Sequence, residues 1–562
     1  MDKRYFYEVA IDTKTTSSDV FTYASDIFIP ERSIVRVNFS NRKLLGFILR
    51  RIKKPNFLIS RIKTIEKIID FSELLDEKRV KLARIASQYY LSSLGKVIFW
   101  ALPEIAYSLT LKGKPKRENV KIKGKRKRHF LASQRIFYQA NVFERFNFYR
   151  KIIRETIDKD KEVLFLTPNL EHWIVKSLAK EFKGLVFSQS LKRKEQYLNW
   201  RKVSEGKVSL IIGSLKAIFV PAKKLGLIIV EDAGNPNYKQ EQDPRVDIRF
   251  LAKKLALISN SKLVFGGMVP DPYTFLEIKN KKFFLKSKIK KPKIRVVDLS
   301  IQNKLIGFET EEEIKKFLFK NKKIIIFYNR LGFSQLSICR DCGFFEFHKG
   351  KLSPAFCPQC KNLRIKTHSF GLERIAYDLE KAFPQKKVAL LFKEGEDKFG
   401  ELNVASSFAL RFKKEFDLCI LGLAEIGLSL PDPYIPYKIL HFNFEALSIG
   451  KKGIIQTFNP EHPLIEALLN FNFEIFYKKW FLFRRKMGLA PFTKEIKIFS
   501  IPEKRKDEIL KKLKTFKEIK KIYELADLKE KYVLVCIKKF LSKELRDFLK
   551  KTRFKIDVDP LK

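Results

Sequence analysis

Residues Val35, Val37 and Phe39 alternate with Arg36 and Asn38, and after a polar turn at 40–43 an apolar run returns at 44–49. That period of two predicts a hairpin inside a small β-rich module. Leu82, Ile85, Ala86 and Tyr89 then recur at helical spacing, and Gly95 and the breaker Pro103 close the segment. Farther on the pattern changes in kind. EVLFLT at 162–167, VSLIIGS at 208–214 and LGLIIVED at 225–232 are continuous apolar runs, as strands buried on both faces of a parallel sheet are. Helical stretches separate them, so a doubly wound α/β lobe is predicted. KKIIIFYNRLGFSQ at 322–335 predicts the first strand of a second lobe. From about Lys494, short strands such as KYVLVCIKKF alternate with charged helices.

At 562 residues the chain exceeds what one core organises, and three to five domains are expected. The stretch LTLKGKPKRENVKIKGKRKRHF at 109–130 is low in apolar periodicity and dense in Lys and Arg. Such a segment buries too little to fold alone and reads as a basic tether. Lys+Arg 115 against Asp+Glu 63 gives a net charge of +52, a field that attracts polyanions and makes nucleic acid the default partner. No leader-like start and no apolar run of spanning length occurs, so a cytoplasmic, nucleoid-associated protein without a membrane is expected.

Four of the six cysteines form two pairs, Cys339-x-x-Cys342 and Cys357-x-x-Cys360, with fourteen residues between them. Two such pairs can set four thiolates around one Zn²⁺ in a closed structural site. Cys419 and Cys536 lie in apolar runs and read as core thiols. The strand at 225–230 ends in Glu231 and Asp232, as in nucleotide-hydrolysing motors, yet no GxxxxGK[ST] loop occurs anywhere to hold a triphosphate.

FTY at 21–23, RVNFSNRK at 36–43, ASQYYLSSLGKVIFWALP at 86–103, GSLKAIFVP from Gly213, LIIVEDAGNPNYKQ from Leu227, FGGMVP from Phe265, CRDCG, CPQCKNL, FDLCILGLAEIGLSLPDP from Phe416 and GIIQTFNPEHP from Gly453 follow one another in order. Together they resemble the PriA family of replication-restart proteins (primosomal protein N′) over nearly the whole chain. The resemblance implies that the opening module holds the 3′ end of a nascent strand in a pocket of Phe21, Thr22, Ser40 and Lys63. An aromatic face there would stack on the terminal base, and polar groups would meet sugar and phosphate. It implies contact of the Tyr238-Lys239-Gln240 loop with single-stranded DNA. It also implies that the family's winged-helix domain is missing at the basic linker, and that the outer of two zincs survives.

By the same resemblance QANVFERF at 139–146 stands where the family carries its phosphate loop. Bulky Val142, Phe143 and Glu144 replace small residues, Phe146 replaces the hydroxyl, and Arg145 alone keeps the lysine's charge. Gly267, Met268 and Val269 lack the hydroxyl of the coupling turn, and no arginine lies between Tyr434 and Gly453 where the second lobe supplies one. Glu231 and Asp232 then read as strand-end carboxylates, with no catalytic residues and no seat for ATP and Mg²⁺.

The expected fold class is α/β: two degenerate helicase (RecA-like) lobes, an N-terminal β-rich DNA-binding domain, a zinc-binding insertion and a small α+β C-terminal domain. The expected boundaries are 1–104 for the 3′-end domain, 105–130 for the basic linker, 131–290 for lobe 1, 291–494 for lobe 2 with its insertion at 336–364, and 495–562 for the C-terminal domain. The expected function is replication restart: binding forked or single-stranded DNA and recruiting primosomal proteins, single-stranded-DNA-binding protein and the replicative helicase or its loader, without helicase activity. Two alternatives stand beside it. One is a residual ATP-dependent helicase using Arg145, Glu231 and Asp232. The other is a zinc-containing protein-interaction scaffold.

Overall fold

The computed structural model describes the chain except residues 1–3, 14–19, 54, 56–57, 59–60, 71–73, 104–134, 189, 303, 329–334, 340, 343, 349–354, 370, 394–397, 429–431, 500, 527–530, 539–540, 553 and 561–562. The basic linker expected at 105–130 lies outside the described residues.

Five strands open the chain: β1 (Tyr5–Ile11), β2 (Phe21–Ser25), β3 (Ile34–Phe39), β4 (Arg42–Ile52) and β5 (Ile65–Asp70), antiparallel in the order β2-β1-β4-β3-β5. The alternating stretch read from the sequence is the β3–β4 hairpin, with Val37 opposite Leu44, and its turn is closed by Ser40 and Asn41 at φ 45° and 60°. Helices α1 (Glu77–Tyr90) and α2 (Leu94–Ala101) follow, started by Asp76 and Ser93, whose side chains accept from Arg79 and Lys96 backbone N–H groups. Gly95 lets α2 lie against β1: a Cβ there would stand 1.8 Å from the Ile11 carbonyl oxygen.

The first α/β lobe runs β6 (Arg135–Ala140), α3 (Val142–Ile157), β7 (Glu162–Leu166), α4 (Trp173–Glu181), β8 (Leu185–Phe187), α5 (Arg193–Ser204) and β9 (Leu210–Gly213). It continues through β10 (Leu225–Val230), α6 (Ile248–Ser259), β11 (Lys262–Gly267), α7 (Pro272–Lys279) and β12 (Phe284–Lys288). Its strands are parallel in the order β12-β6-β11-β10-β7-β9-β8. The carboxyl ends of β6, β11 and β10 therefore lie side by side, where open α/β sheets present their ligand groups.

The second lobe begins with β13 (Lys293–Asp298), α8 (Phe308–Phe319) and β14 (Ile324–Phe327). An antiparallel insertion of β15 (Gln335–Cys339), β16 (Phe345–His348) and β17 (Ile365–Ser369) interrupts it. The lobe then resumes with α9 (Leu372–Ala382), β18 (Val388–Leu391), β19 (Leu402–Ala405), β20 (Phe416–Leu421), α10 (Ile435–Leu447), β21 (Gly450–Thr457), α11 (Pro463–Leu469) and α12 (Phe473–Met487). Its six strands are parallel, β13-β21-β20-β14-β19-β18. The chain ends in an antiparallel sheet, β23-β24-β22-β25, built from β22 (Lys494–Phe499), α13 (Glu503–Lys514), β23 (Ile519–Ala526), β24 (Lys531–Ile537), α14 (Lys543–Lys551) and β25 (Lys555–Val558).

One hydrophobic cluster runs through both lobes, joining Val264, Met268 and Phe275 of the first to Leu421, Tyr437 and Leu440 of the second. Lobes that open around a nucleotide need a solvent-filled cleft, and here apolar packing bridges it. Cys419 and Cys536 are both buried, as their apolar surroundings predict. Among the described residues no helix is long and apolar enough to cross a membrane.

Candidate functional site

Where a motor would loop around phosphates, β6 passes straight into α3. Asn141 caps that helix: its side-chain oxygen accepts from Glu144 N–H at 2.9 Å and its carbonyl from Arg145 N–H at 2.9 Å. Two of the backbone donors at this helix start, on Glu144 and Arg145, are thus satisfied internally. Arg145, only 2% exposed, turns inward and donates to Glu231 at 2.9 Å, to Glu445 of α10 at 3.1 Å and to the Ala140 carbonyl at 2.8 Å. Tyr149 O–H donates to the other Glu231 oxygen at 2.5 Å, and Met268 N–H donates to Glu445 at 2.9 Å. The lysine-like cation of lobe 1 therefore meets a carboxylate of lobe 2 in the cleft itself.

A second bond crosses beside it. His441 of α10 meets Asp232 at 2.6 Å, the other Asp232 oxygen accepts from Asn235 at 2.7 Å, and Tyr437 O–H donates to the Gly234 carbonyl. Gly234 makes this approach possible, since a Cβ there would lie 2.2 Å from the Val269 carbonyl oxygen and 2.6 Å from the His441 ring. Burial alone would raise the Asp232 pKa, but the His441 charge and hydrogen bond outweigh it and hold the carboxyl well below its usual range. Burial likewise opposes charge on His441, and the Asp232 carboxylate reverses the sign, leaving the imidazole above its ordinary value. Glu445 is raised by burial, which Arg145 offsets only in part. Neighbouring His172 is pushed down to about 4 by burial and then by the Arg145 charge, so it is neutral at pH 7.

Asp232, His441 and Glu445 have ligand atoms within 4.8 Å of one another. They enclose no cation seat, because Arg145 and Met268 N–H occupy the Glu445 oxygens and Arg145 and Tyr149 occupy those of Glu231. Around the cleft mouth Phe143 and Phe146 pack on Trp173 with ring centroids 5.6 and 4.9 Å apart, and Lys413 of lobe 2 covers Trp173 at 5.2 Å. The space that small residues would leave for a triphosphate is filled with rings.

In the opening module Phe21, Thr22 and Lys63 line one cavity of about 480 Å³ together with Tyr23, Leu58 and Arg61. Ser40 is not among its lining residues; it sits exposed in the β3–β4 turn. Leu58 and Arg61 escaped the sequence reading because neither lies in a recognisable motif.

Tyr238 and Lys239 require correction as DNA-contacting residues. Tyr238 is 0% exposed and donates to the Leu166 carbonyl at 2.9 Å and to that of Glu231. Lys239, 1% exposed, pairs with Asp557 at 2.8 Å and donates to the Val558 and Arg245 carbonyls. The loop is a joint between lobe 1 and β25, and both side chains are buried within the protein. In the insertion Cys339, Cys342, Cys357 and Cys360 converge, with Cys339–Cys360 and Cys342–Cys357 sulfurs each 3.6 Å apart and all four within 4.8 Å. Four sulfurs so placed can hold one metal ion.

Replacing Arg145 with Met leaves Glu231 and Glu445 buried without their cation. We expect a loss of about 3–5 kcal/mol in urea unfolding, partly restored by adding Glu445→Gln. A loss under about 1 kcal/mol would show that the cluster does not hold the lobes. The Asp232–His441 pair sets a pH dependence of stability. The raised His441 pKa contributes stability fully below about pH 6.5 and loses it as pH rises through the folded value, whereas the depressed Asp232 pKa contributes above about pH 4 and fails only in acid. Stability should therefore decline above neutrality, and His441→Asn should flatten that decline in denaturant titrations between about pH 6 and 9. An equal slope in both proteins would refute the pairing.

Residues 8–103 match the PriA family model for the 3′DNA-binding domain (3′BD). The replication restart protein PriA of Borreliella burgdorferi is 24% identical, covering 88% of this chain and 85% of its own length, and that of Treponema pallidum is 23% identical, covering 89% and 87%. The replication restart protein PriA of Thermotoga maritima is 26% identical over 60% of this chain and 53% of its own. Among solved structures, the DUF1998 helicase MrfA bound to DNA aligns with 74% of this chain and 56% of its own at 11% identity and a TM-score of 0.36. With its opening module matched to the 3′DNA-binding domain and PriA relatives aligned with 88% of its length, the chain is similar to the replication restart proteins PriA over most of its sequence.

Proposed function

We propose that this protein binds forked or single-stranded DNA during replication restart and serves as a fixed platform for other replication proteins, without turning over ATP. One observation carries the reading: Glu445 of lobe 2 occupies the Arg145 guanidinium inside the cleft, at 3.1 Å. A triphosphate entering there would have to displace a paired carboxylate and set its own charge beside Glu231 and Glu445. Like charges so close in a buried site cost several kcal/mol. No residue of the cleft is assigned a catalytic role; Glu231 and Asp232 act as the lobe 1 half of an interlobe bond.

DNA affinity then rests on phosphate contacts made by a chain of net charge +52 and on the opening pocket. The protein partners suggested by the family name are primosomal proteins, single-stranded-DNA-binding protein and the replicative helicase or its loader, acting in the cytoplasm on the nucleoid. The division into a 3′-end domain at 1–104, two lobes at 131–290 and 291–494, and a C-terminal domain at 495–562 belongs to the same proposal.

The four-cysteine cluster takes one structural zinc in this reading. A tetrahedron with Zn–S bonds of about 2.3 Å sets its sulfurs roughly 3.8 Å apart, and the two short pairs lie at 3.6 Å. The ion would neutralise thiolates and staple β15 to the 357–360 turn, while the cleft's own residues do their work without it.

In a fork-binding titration, Kd should change by less than about two-fold when ATP and Mg²⁺ are added, and should weaken steeply with salt. DNA-stimulated ATP hydrolysis abolished by Asp232→Ala would replace this reading with that of a residual helicase. Metal analysis should return one zinc per chain, and Cys357→Ser with Cys360→Ser should remove it, melting the insertion at a cost on the order of 10 kcal/mol of local folding. Absence of zinc in the native protein would remove the metal from the account.

A further inference from the structure

Helix α12 is clamped on its inner side. Tyr477 stacks on Phe275 of α7 at 4.6 Å and donates to the Pro270 carbonyl at 2.7 Å, and Arg484 pairs with Glu495 of β22 at 2.9 Å. At the end of the helix Tyr523 of β23 donates to the Met487 carbonyl, and Gly488 closes the last turn at φ 70°. Lobe 1 and the C-terminal sheet thus grip the same helix, and whatever its outer side carries is held in place.

The outer side carries an apolar pair in a cationic setting. Ile475, Trp480 and Phe481 pack against the core, whereas Leu482 is 70% exposed and Phe483 57%. Lys478 and Lys479 stand one turn before this pair, Arg485 and Lys486 one turn after it, and all four are exposed. Lys521 of β23 extends the cationic side and donates to the Lys486 carbonyl at 3.4 Å. The acids of the two neighbouring helices are engaged: Glu474 takes Lys279 at 2.7 Å, and Glu466 takes Lys479 at 2.9 Å in an exposed pair that an anion can displace. Lys478, Arg485 and Lys486 form no ion pair among the described residues.

We propose that the outer face of α12 is a binding site for the interior of a single DNA strand. The inference rests on the reading of the protein as DNA-binding and goes further, to where a strand lies away from its end. Bases pack on Phe483 and Leu482, and the phosphates before and after them meet Lys478 and Lys479 on one side and Arg485 and Lys486 on the other. From Lys478 to Lys486 the helix rises about 12 Å, room for about three nucleotides at roughly 3.4 Å each. A duplex would hide its base faces and use the cations alone; a single strand uses both. Arg485, whose guanidinium lies over Phe492 at 5.1 Å, is already held by a ring.

The test uses the full-length protein and a fluorescent circular single strand of thymidines, which has no end for the opening pocket to hold. Leu482→Ala with Phe483→Ala should weaken binding about five-fold or more, and Phe483→Trp should keep it. Lys478→Ala with Arg485→Ala and Lys486→Ala should weaken it too and lower the slope of log affinity against log salt by about two. All these positions are exposed, so unfolding midpoints should match that of the unaltered protein. On a circle of abasic sugars the Leu482 and Phe483 variant should bind as well as the unaltered protein. If only the cation variant weakens binding, the strand is held without stacking and the inference falls. If neither variant does, or if the unaltered protein binds forks and not the circle, it falls as well, while DNA binding elsewhere on the chain stands; an acidic protein segment as the true occupant would give the first of these results. Failure of the unaltered protein to bind any fork or strand removes the DNA-binding reading itself.

Discussion

The Arg145 guanidinium holds Glu231 of its own lobe at 2.9 Å and Glu445 of the other lobe at 3.1 Å, with all three side chains buried. Each charge taken from water costs several kcal/mol, and only mutual pairing with full hydrogen bonding recovers it. Here the pairing is nearly complete: Tyr149, Met268 N–H and the Ala140 carbonyl occupy the remaining positions. Rotating the lobes apart would strand Glu445, break Asp232–His441 and expose the apolar cluster that continues across the cleft. The electrostatic and hydrophobic terms thus oppose opening together. In a nucleotide-driven frame the two lobes come together because both present cations to an anion between them. In this frame the anion is supplied by the second lobe itself.

The same device recurs where the C-terminal sheet meets the rest of the chain. Lys239 binds Asp557 of β25, Tyr89 O–H reaches Asp559 at 2.5 Å, and Arg484 meets Glu495 at 2.9 Å with almost no exposure. Joints made of buried, directional polar contacts fix orientation more strictly than apolar surfaces, which slide. The frame is therefore held in one relative arrangement from the opening helices to the last strand. Such fixed joints favour the platform reading proposed above over a motor, which cycles between arrangements.

Much of this was written in local pattern. Continuous apolar runs gave the parallel strands, period-two alternation gave the β3–β4 hairpin, and paired cysteines gave a cluster that the fold closes between the end of β15 and the 357–360 turn. The cleft itself was visible only as loss, in the absence of a phosphate loop and of arginine between Tyr434 and Gly453. What replaced those groups lies far along the chain, Glu445 being 300 residues from Arg145. A local trace did exist. Glu445 and His441 interrupt the apolar helix ILHFNFEAL, and a carboxylate inside such a helix must find a buried partner. Tyr238 and Lys239 misled for the converse reason: an aromatic beside a lysine in a loop has the composition of a DNA contact, and only the return of β25 from the chain's end buries it. Ser40 is exposed in the β3–β4 turn and is not among the residues that line the cavity with Arg61 and Leu58.

Why the seal is ionic rather than apolar follows from where it sits. The carboxyl ends of β6, β11 and β10 converge with backbone groups that an apolar plug would leave unsatisfied, the Ala140, Met268 and Gly234 carbonyls and the Met268 N–H among them. Arg145, Gln139, Tyr437 and Glu445 meet those four groups one by one. An apolar replacement of Arg145 and Glu445 of the same volume would remove the cost of burying charge but abandon the Ala140 carbonyl and the Met268 N–H, each worth about 1–3 kcal/mol when orphaned in the interior. The cluster at the carboxyl ends of these strands thus supplies hydrogen bonds to the backbone as well as volume.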